Sequence, residues 1–495
     1  MSFLPRKSWF QLALVLAVAV VAYLVLWHNA VEFQELERSR GGLGYVSDET
    51  WYVAAARIIL VKVLGMEPKQ LEDYGVTIVF KAKPSYSELE SLAMQVGVNV
   101  STYSELPAIY AKGLRERVLK FIEKASARYS VDAVIPGWRM PDKKDIHNYL
   151  NLEHPPLGKY LIAISMVLLG DVPAYWRVPV VISGIATIVL TYLVLVKLTG
   201  KALPALAGSL LLLADPLARA MFSISMLDGF AALFTMLALY LAVEKRCVAA
   251  LVTSVIGGLF KATGLFAALP VIFLLARRES RLRSGSLRVF LASTAYYGSV
   301  AALLYLSLLT LVSMPLIAHV GAYTWYTSSI AGAIKWHLSI KCTGSGCPQS
   351  SAPWDWILGT NSFPLYIYPE GRVLYASGAT PLWIASTLLL VLGFPAVYKG
   401  VKRYGYVLVF YLGVLGGYLV VWILGGKTQY SFYAIQLAPL VYANATYVVS
   451  TILASKNYLS ATIEEWQRVL LVLVSPLARC LEKMARILVA LLDLK

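Results

Sequence analysis

An acidic pair, Asp48-Glu49, follows the first long apolar stretch of the chain by about 20 residues. At a bilayer surface such a pair has two interpretations. Ser47 can cap a helix whose dipole stabilises both carboxylates in the first turn, or a carboxylate can accept the proton of an attacking hydroxyl. Spacing alone favours the first interpretation. The run EHPPLGK, with His154 and Lys159, forms a second polar cluster and favours the second.

Several polar side chains border or interrupt later apolar segments, where they are costly and usually functional. They are Arg177 in AYWRVPV, Asp215 and Arg219 in ADPLARAMF, Asp228 in SISMLDGF, Lys261 in GGLFKATGLF, and Lys427 and Tyr430 in GGKTQYSFY. Snorkelling explains a single cation at a span end, and Asp215 can pair with Arg219. Several cations beside a carboxylate pair suit another chemistry, because cations bind phosphate and a carboxylate activates a hydroxyl. The set predicts sugar transfer from a lipid phosphate.

The composition is that of a polytopic membrane protein. Of the 495 residues, 58% are apolar and 15% are charged, whereas a soluble domain has about 25% charged residues. The net charge of +16 indicates membrane topology and attraction to anionic lipid rather than nucleic-acid binding. GxGxxG and GxxxxGK[ST] motifs are absent from the sequence, so a nucleotide site has no support.

Basic residues predict the topology. Arg6 and Lys7 place the N-terminus in the cytoplasm, and the first apolar helix, at 8–28, is interpreted as a retained anchor. The apolar part of 154–171 is short for a span and is predicted to lie flat at the interface, because every strongly basic connection then falls in the cytoplasm. The later spans are predicted at 176–197, 203–222, 227–243, 247–260, 262–276, 288–312, 379–397, 405–424 and 431–453. The candidate site residues then lie on the external face.

The spans divide the chain into six segments. They are the first transmembrane helix with the acidic-pair juxtamembrane helix (1–66), a small external α/β insertion (67–146), the HPPLGK helix with the core spans (147–312), an external loop (313–378), the C-terminal spans (379–453) and cytoplasmic amphipathic helices (454–495). In the insertion, VTIVF and VDAVI are predicted strands, whereas SYSELESLAMQVG and AIYAKGLRERVLKFIEKASARY are predicted helices. Cys342 and Cys347 lie close together in the external loop, where a disulfide can persist.

Five motifs in the same order carry a family resemblance: Asp48-Glu49 after the first span, HPPLGK, WRVP, ARAMFSISMLD and FKATGLF. Together they resemble the protein O-mannosyltransferases, membrane enzymes that use a polyprenyl-phosphate sugar. The resemblance covers roughly residues 40–270, with a weaker match in KTQYSFYAIQLAPL. It implies the C-type glycosyltransferase fold. Together with the spans and segments above, the predicted fold class is an all-α polytopic membrane protein of this fold, with about 10–11 transmembrane helices, external juxtamembrane helices and a small external α/β insertion.

The resemblance also implies roles for individual residues. Asp48 matches the catalytic base of the family and Glu49 its acidic neighbour. Residues of the family's donor or phosphate region are matched by His154, Lys159 and Arg177. The predicted membrane depth adds further candidates for the same region: Arg219, Asp228, Lys261, Lys427 and Tyr430. The implied donor is dolichyl-phosphate mannose, the acceptor is a Ser/Thr hydroxyl of an exported protein, and the transfer inverts the sugar. The loop at 313–378 is too short for the β-trefoil domain of eukaryotic members, which favours a prokaryotic, archaeal-type member.

Other functions stay open at this point. Related enzymes of this fold act on lipid or glycan acceptors. A lipid or anion transporter also has many spans and intramembrane charges, but the sequence lacks two-half symmetry. A non-catalytic subunit could keep the fold with an inactive site. The predicted mechanism requires no metal, although Asp48, Glu49 and His154 could bind one. The predicted partners are the lipid donor, the acceptor and membrane lipid, without nucleic acid, and the oligomeric state is not predicted.

Overall fold

The computed structural model describes residues 6–71, 73–283, 285–340, 347–397, 401–472 and 475. Most of them are helical, because a helix satisfies its own backbone N–H and C=O groups in hydrocarbon. Within these residues, the helices long and apolar enough to cross a membrane are Trp9–Ser39, Val178–Thr199, Leu287–Val312, Thr380–Val397 and Tyr404–Ile423. Shorter apolar helices are Leu157–Leu168, Ala202–Ala214, Asp228–Val243, Cys247–Gly258 and Ala438–Leu453. The predicted all-α polytopic membrane fold is confirmed.

The first eleven α-helices in the described part of the chain are α1 (Arg6–Ser39), α2 (Glu49–Ile58), α3 (Tyr86–Val96), α4 (Arg115–Ser126), α5 (Leu157–Leu168), α6 (Pro173–Trp176), α7 (Val178–Thr199), α8 (Ala202–Ala214), α9 (Pro216–Met221), α10 (Asp228–Val243) and α11 (Cys247–Gly258). The later ones are α12 (Ala268–Arg283), α13 (Leu287–Val312), α14 (Met314–Val320), α15 (Ala322–Tyr326), α16 (Ala333–His337), α17 (Pro353–Leu358), α18 (Thr380–Gly393), α19 (Tyr404–Ile423) and α20 (Ala438–Tyr447). The strands are β1 (Tyr74–Phe80), β2 (Asn99–Thr102), β3 (Ala108–Gly113), β4 (Val131–Pro136), β5 (Pro364–Ile367) and β6 (Val373–Tyr375).

Three of the predicted spans are broken helices. The predicted 203–222 span divides into α8 and α9, because Asp215 has an extended backbone and Pro216 starts a new helix. A 3₁₀ segment at 262–267 precedes α12, and another at 431–436 precedes α20. These breaks bring irregular backbone and polar side chains into the helical bundle.

Close helix packing surrounds those breaks. Helix α7 packs against α1, α8, α10 and α20, and one apolar core extends through these helices. The 3₁₀ segment that contains Gly264 passes so close to α11 that a Cβ atom on Gly264 would lie 2.4 Å from the carbonyl carbon of Gly257. Only glycine allows this approach, which fixes the segment that follows Lys261.

The insertion is a four-stranded antiparallel sheet in the order β2-β3-β1-β4, with α3 and α4 on one face. Its element order is the βαββαβ of a ferredoxin-like unit. The predicted strands β1 and β4 are confirmed, as is α3. The predicted helix at 108–129 is wrong in its first part: residues 108–113 form β3, which pairs Ile109 with Ile78 in the centre of the sheet. Strand β2 was not predicted.

The opposite face of the sheet rests on the membrane part of the chain. Val79, Ala108 and Ile135 share an apolar cluster with Ile58 and Ile59, at the end of α2 and in the π-helical turn after it. The insertion therefore packs directly against the helix that begins next to Asp48.

The loop predicted at 313–378 is more structured than the sequence indicated. It contains α14 to α17, a π-helical turn at 327–332 and a hairpin of β5 and β6. After the last span, a helix extends over residues 456–472, within the predicted amphipathic segment. Cys342 lies outside the described residues, so its disulfide with Cys347 stays a prediction.

Candidate active site

Asp48 stands immediately before α2, where the backbone turns into the helix. Its carbonyl accepts hydrogen bonds from the N–H groups of Trp51 and Tyr52, at 3.0 and 3.2 Å, while its side chain caps no N–H group of α2. The predicted cap by Ser47 is wrong, because Ser47 has a φ of +54° and its buried Oγ atom has no hydrogen-bond partner in the part of the chain that the structure describes. The capping interpretation of the acidic pair therefore does not account for the Asp48 side chain.

The carboxylate of Asp48 is close enough to aromatic and charged side chains from distant parts of the chain for its charge to act on them. Its charge acts on Tyr52, Lys261, Tyr430 and Tyr433. Burial, followed by the charges of Asp48 and Asp228, raises the pKa of Tyr52 well above its usual value. We call Asp48, Tyr52, Asp228, Lys261, Tyr430 and Tyr433 the Asp48 cluster.

The cation of this cluster is held by a buried carboxylate. Lys261 Nζ donates to Asp228 Oδ1 at 2.5 Å, and both side chains are almost fully buried. The same ammonium group lies 4.1 Å from the ring centre of Tyr433, at a distance typical of a cation–π contact. Asp228 Oδ2 is buried without a hydrogen-bond partner in the structure. This oxygen can accept a hydrogen bond from a bound molecule.

Glu49, the second acid of the pair, is in a different environment. Arg177 donates to it twice, from Nε to Oε1 and from Nη2 to Oε2, each at 2.8 Å. The N–H groups of Val46 and Ser225 also donate to this carboxylate, at 2.8 and 2.5 Å. Both charged side chains are completely buried. We call this pair the Glu49–Arg177 clamp.

The clamp also holds α1 and the loop that follows it. Arg177 Nη1 donates to the carbonyl of Ala30, and Nη2 donates to that of Gly44, both at 2.7 Å. The sequence predicted that Arg177 binds phosphate and that Glu49 joins the catalysis. The structure instead directs Arg177 toward protein acceptors, and Glu49 joins α1, α2 and α7 at the base of the site.

Lys159 is likewise directed inward, although it was predicted to contact the donor. Its Nζ atom donates to the carbonyls of Leu150, Asn151 and His154, and the side chain is completely buried. The His154 ring packs edge-on against the rings of Tyr52 and His337, with centres 5.7 and 5.4 Å apart. Lys159 therefore orders the chain that brings His154 beside Tyr52 of the Asp48 cluster.

Two of the predicted donor residues lie apart from the Asp48 cluster. Arg219 donates to Asn29 on α1, with Nη2 and Oδ1 3.2 Å apart. Lys427 is exposed, with its ammonium group 5.3 Å from the ring centre of Trp422. Of the predicted set, the structure brings together Asp48, Asp228, Lys261 and Tyr430, with His154 next to them.

A third buried ion pair, Arg57–Asp171, was not predicted from the sequence. Arg57 of α2 donates from Nε and Nη2 to Asp171, at 2.8 and 2.7 Å, and the N–H of Trp138 donates to the same carboxylate at 2.8 Å. The pair joins α2, the end of the insertion and the segment before α6. One signal was present: an arginine within the apolar run VAAARIIL requires a partner. Asp171 is too distant in sequence to be identified from spacing.

An apolar cavity of about 340 Å³ adjoins the Asp48 cluster. Its lining comes from the 3₁₀ segment after Lys261, α13, the π-helical turn at 327–332, α16 and α19. Phe266, Tyr305 and Ile330 are among the lining residues. Tyr433 also lines it, and so connects the cavity with the ammonium group of Lys261. The cavity suits a hydrocarbon chain whose polar end is at the cluster.

A metal site was left open by the sequence. Across the described ranges, no group of three or more His, Cys, Asp or Glu side chains is arranged to hold a metal ion. This leaves the metal requirement of the reaction untested.

Comparison with known proteins gives a family match over a segment that contains part of this site. Residues 153–312 match the model of the dolichyl-phosphate-mannose-protein mannosyltransferase family. The resemblance predicted from the sequence is confirmed. The matched segment includes His154, Arg177, Asp228 and Lys261, whereas Asp48 lies before it.

Two solved structures are similar to this chain. ArnT from Cupriavidus metallidurans bound to undecaprenyl phosphate is 14% identical, with a TM-score of 0.43, over 93% of this chain and 65% of that one. ArnT from the same organism in the apo state is 15% identical, with a TM-score of 0.38, over 66% of this chain and 55% of that one. The chain thus spans less than two thirds of the length of either solved structure. A search of curated proteins gave no match.

Proposed function

We propose that this protein is a membrane glycosyltransferase that moves a hexose from a polyprenyl-phosphate donor to a hydroxyl acceptor. The finer proposal is transfer of mannose from dolichyl-phosphate mannose to Ser/Thr hydroxyls of exported proteins. The observation that carries it is the Asp48 cluster: the charge of Asp48 acts on the buried Lys261, beside an apolar cavity that Tyr433 lines. The family match supports the class of donor.

In this proposal Asp48 is the general base. It accepts the proton of the acceptor hydroxyl while that oxygen attacks C1 of the sugar from the side opposite the phosphate. The bond between C1 and the phosphate oxygen breaks, and its electron pair leaves with the polyprenyl phosphate. The new glycosidic bond therefore has the inverted configuration. A positioned base of this kind contributes about 10²–10⁴-fold to the rate.

Lys261 is the proposed partner of the departing phosphate, whose negative charge grows as the bond breaks. A buried cation stabilises that charge strongly because little water screens it. Lys261 is already paired with Asp228, so the incoming phosphate competes with that carboxylate. Asp228 Oδ2, which has no hydrogen-bond partner among the described residues, is then the proposed acceptor for a hydroxyl of the sugar.

The other predicted residues have positioning roles in this proposal. The Glu49–Arg177 clamp fixes the start of α2, and Lys159 fixes the backbone before His154. Tyr430 and His154 form walls of the cluster. The polyprenyl chain occupies the apolar cavity that begins at Tyr433.

We also propose the orientation given by the basic residues, with the N-terminus in the cytoplasm and the Asp48 cluster on the external face. Lys245, Arg246 and the run of arginines at 277–288 then face the cytoplasm. In this orientation the insertion lies outside, above α2.

The test is a transfer assay with the full-length protein in detergent. Radiolabelled dolichyl-phosphate mannose and a Ser/Thr-rich peptide are given to the wild type and to Asp48→Asn. The proposal expects label on the peptide with the wild type and none with the variant. Loss of sugar from the donor without labelled peptide would retain the enzyme but reject the protein acceptor. No turnover of any lipid-linked sugar would overturn the enzyme proposal.

A further inference from the structure

A second amphiphilic cleft lies on the outside of the bundle, between α1, α8 and α9. Its volume is about 440 Å³. Leu24, Leu210 and Leu213 form its apolar part, and His28, Asn29 and Arg219 form its polar part. We call it the α1–α8 cleft. It shares no lining residue with the apolar cavity beside the Asp48 cluster.

The two parts of the cleft are separated along the helix axis. On α1, Leu24 lies one turn before His28, and on the other wall the leucines of α8 precede Arg219 of α9. Both walls thus change from apolar to polar in the same direction. An amphiphile with a hydrocarbon chain and a polar head has the matching pattern.

The cleft faces lipid. Helix α1 is the most apolar of the candidate spans, yet only 17% of its most apolar 18-residue stretch is buried within the protein. Leu24 is 59% exposed, so the surrounding bilayer covers this side chain. The polar end of the cleft lies near Ala30, whose carbonyl accepts a hydrogen bond from Arg177. It is therefore at the same depth as the Glu49–Arg177 clamp, near the ends of several helices.

The charge of the cleft selects the head group. Arg219 is held by the neutral side chain of Asn29 rather than by a carboxylate, and in the described part of the chain it forms no ion pair. His28 adds a second donor on the same wall. An arginine fixed by a neutral partner retains its charge and several N–H donors for a phosphate oxygen.

From these observations we propose that the α1–α8 cleft binds an anionic phospholipid of the surrounding bilayer. Its phosphate contacts Arg219 and His28, and an acyl chain lies along Leu24 and Leu210. The site is separate from the donor site, so this inference does not depend on the proposed reaction.

The test is native mass spectrometry of the full-length protein in detergent, titrated with phosphatidylglycerol. The wild type is expected to retain one tightly bound lipid. Arg219→Gln removes the charge and is expected to weaken that binding about 10-fold, the effect of losing one charge-assisted hydrogen bond. Leu24→Trp fills the cleft without changing its charge and is expected to remove the same lipid. Arg246→Gln is the matched control, because Arg246 is an exposed arginine at a helix start outside the cleft.

Each other outcome contradicts the proposal. Equal lipid binding by the wild type, Arg219→Gln and Leu24→Trp would overturn the site. Equal retention of phosphatidylcholine would overturn the requirement for an anionic head group. Displacement of the lipid by millimolar inorganic phosphate would show that phosphate itself, not a lipid, is the ligand. Loss of the lipid in Arg246→Gln as well would indicate nonspecific electrostatic binding.

Discussion

Replacing Glu49 by glutamine tests whether the second acid of the pair positions the site or takes part in the chemistry. The change keeps the shape of the side chain but leaves the guanidinium group of Arg177 completely buried without its carboxylate. Breaking one side of a buried ion pair costs about 3–5 kcal/mol. The N–H groups of Val46 and Ser225 donate to different oxygens of the Glu49 carboxylate, so in the glutamine variant one of them faces the amide NH2 group and loses its acceptor. The cost is therefore not expected to fall below this range.

The expected loss converts into a measurable shift. With about 2 °C per kcal/mol for a large protein, the Tm of Glu49→Gln in detergent should fall by about 6–10 °C. Arg177→Met should give a similar fall. The double variant should be less destabilised than the sum of the two, because each single change leaves the other charge unpaired.

Turnover separates the two roles further. Below its lowered Tm, Glu49→Gln is expected to retain part of the transfer activity, whereas Asp48→Asn is expected to retain the wild-type Tm and lose activity. An unchanged Tm for Glu49→Gln, together with complete loss of turnover, would refute the positioning role and assign Glu49 to the reaction itself.

Three further changes test the surroundings of the site. Lys159→Met removes the donor of the Leu150 and His154 carbonyls, whereas the Asn151 carbonyl keeps the His154 N–H. The change should cost about 1–3 kcal/mol for each unsatisfied group, measured as a lower Tm; an unchanged Tm would contradict the buried role of Lys159. Gly264→Ala places a Cβ atom against the backbone of Gly257 and should lower both Tm and donor binding, while Gly298→Ala, which meets no atom within 4 Å, should change neither. Burial alone would raise the pKa of Asp142, but hydrogen bonds from the loop at 104–106 outweigh it and lower the pKa. The Asp142 carboxylate therefore stabilises the insertion above the unfolded pKa of about 3.9, and this stabilisation is lost as the pH falls through the lower folded pKa. Amide hydrogen exchange in 104–106 should accelerate at that low pH in the wild type and be fast at all pH values in Asp142→Asn.

The sequence predicted the membrane architecture because that architecture depends on local composition. Apolar length located the spans, and an apolar helix lies within or across each predicted span, although α1 extends to Ser39 and three spans are broken. The breaks within spans were harder to predict. Asp215-Pro216 was a visible signal for the end of α8, but the 3₁₀ segment after Lys261 depends on the approach of Gly264 to α11, which is a tertiary contact.

The insertion shows where local pattern fails. The run at 108–113 has residues that also suit a helix, and it continues into the amphipathic pattern of α4. It becomes a strand because β1 and β2 provide hydrogen-bonding partners on both sides. Pairing of this kind depends on strands that are distant in sequence.

Within the candidate site, residue type was predictable and residue role was not. The sequence identified Asp48, Asp228, Lys261 and Tyr430 as costly polar groups, and the structure brings them together. It could not show that Glu49 belongs to a buried ion pair, because its partner Arg177 is 128 residues away. The same limit explains why the Arg57–Asp171 pair, 114 residues apart, was missed.

The most direct test of the central proposal is the turnover of Asp48→Asn measured together with its donor binding. The wild type, Asp48→Asn and the control Asp145→Asn are compared in single-turnover transfer and in binding of the polyprenyl-phosphate sugar. Asp145 is an exposed aspartate of the insertion with a φ of +57°, which asparagine also adopts readily. We predict unchanged donor binding in all three proteins and a single-turnover transfer rate about 10²–10⁴-fold lower in Asp48→Asn alone. Near-normal transfer by Asp48→Asn would contradict the assignment of Asp48 as the base.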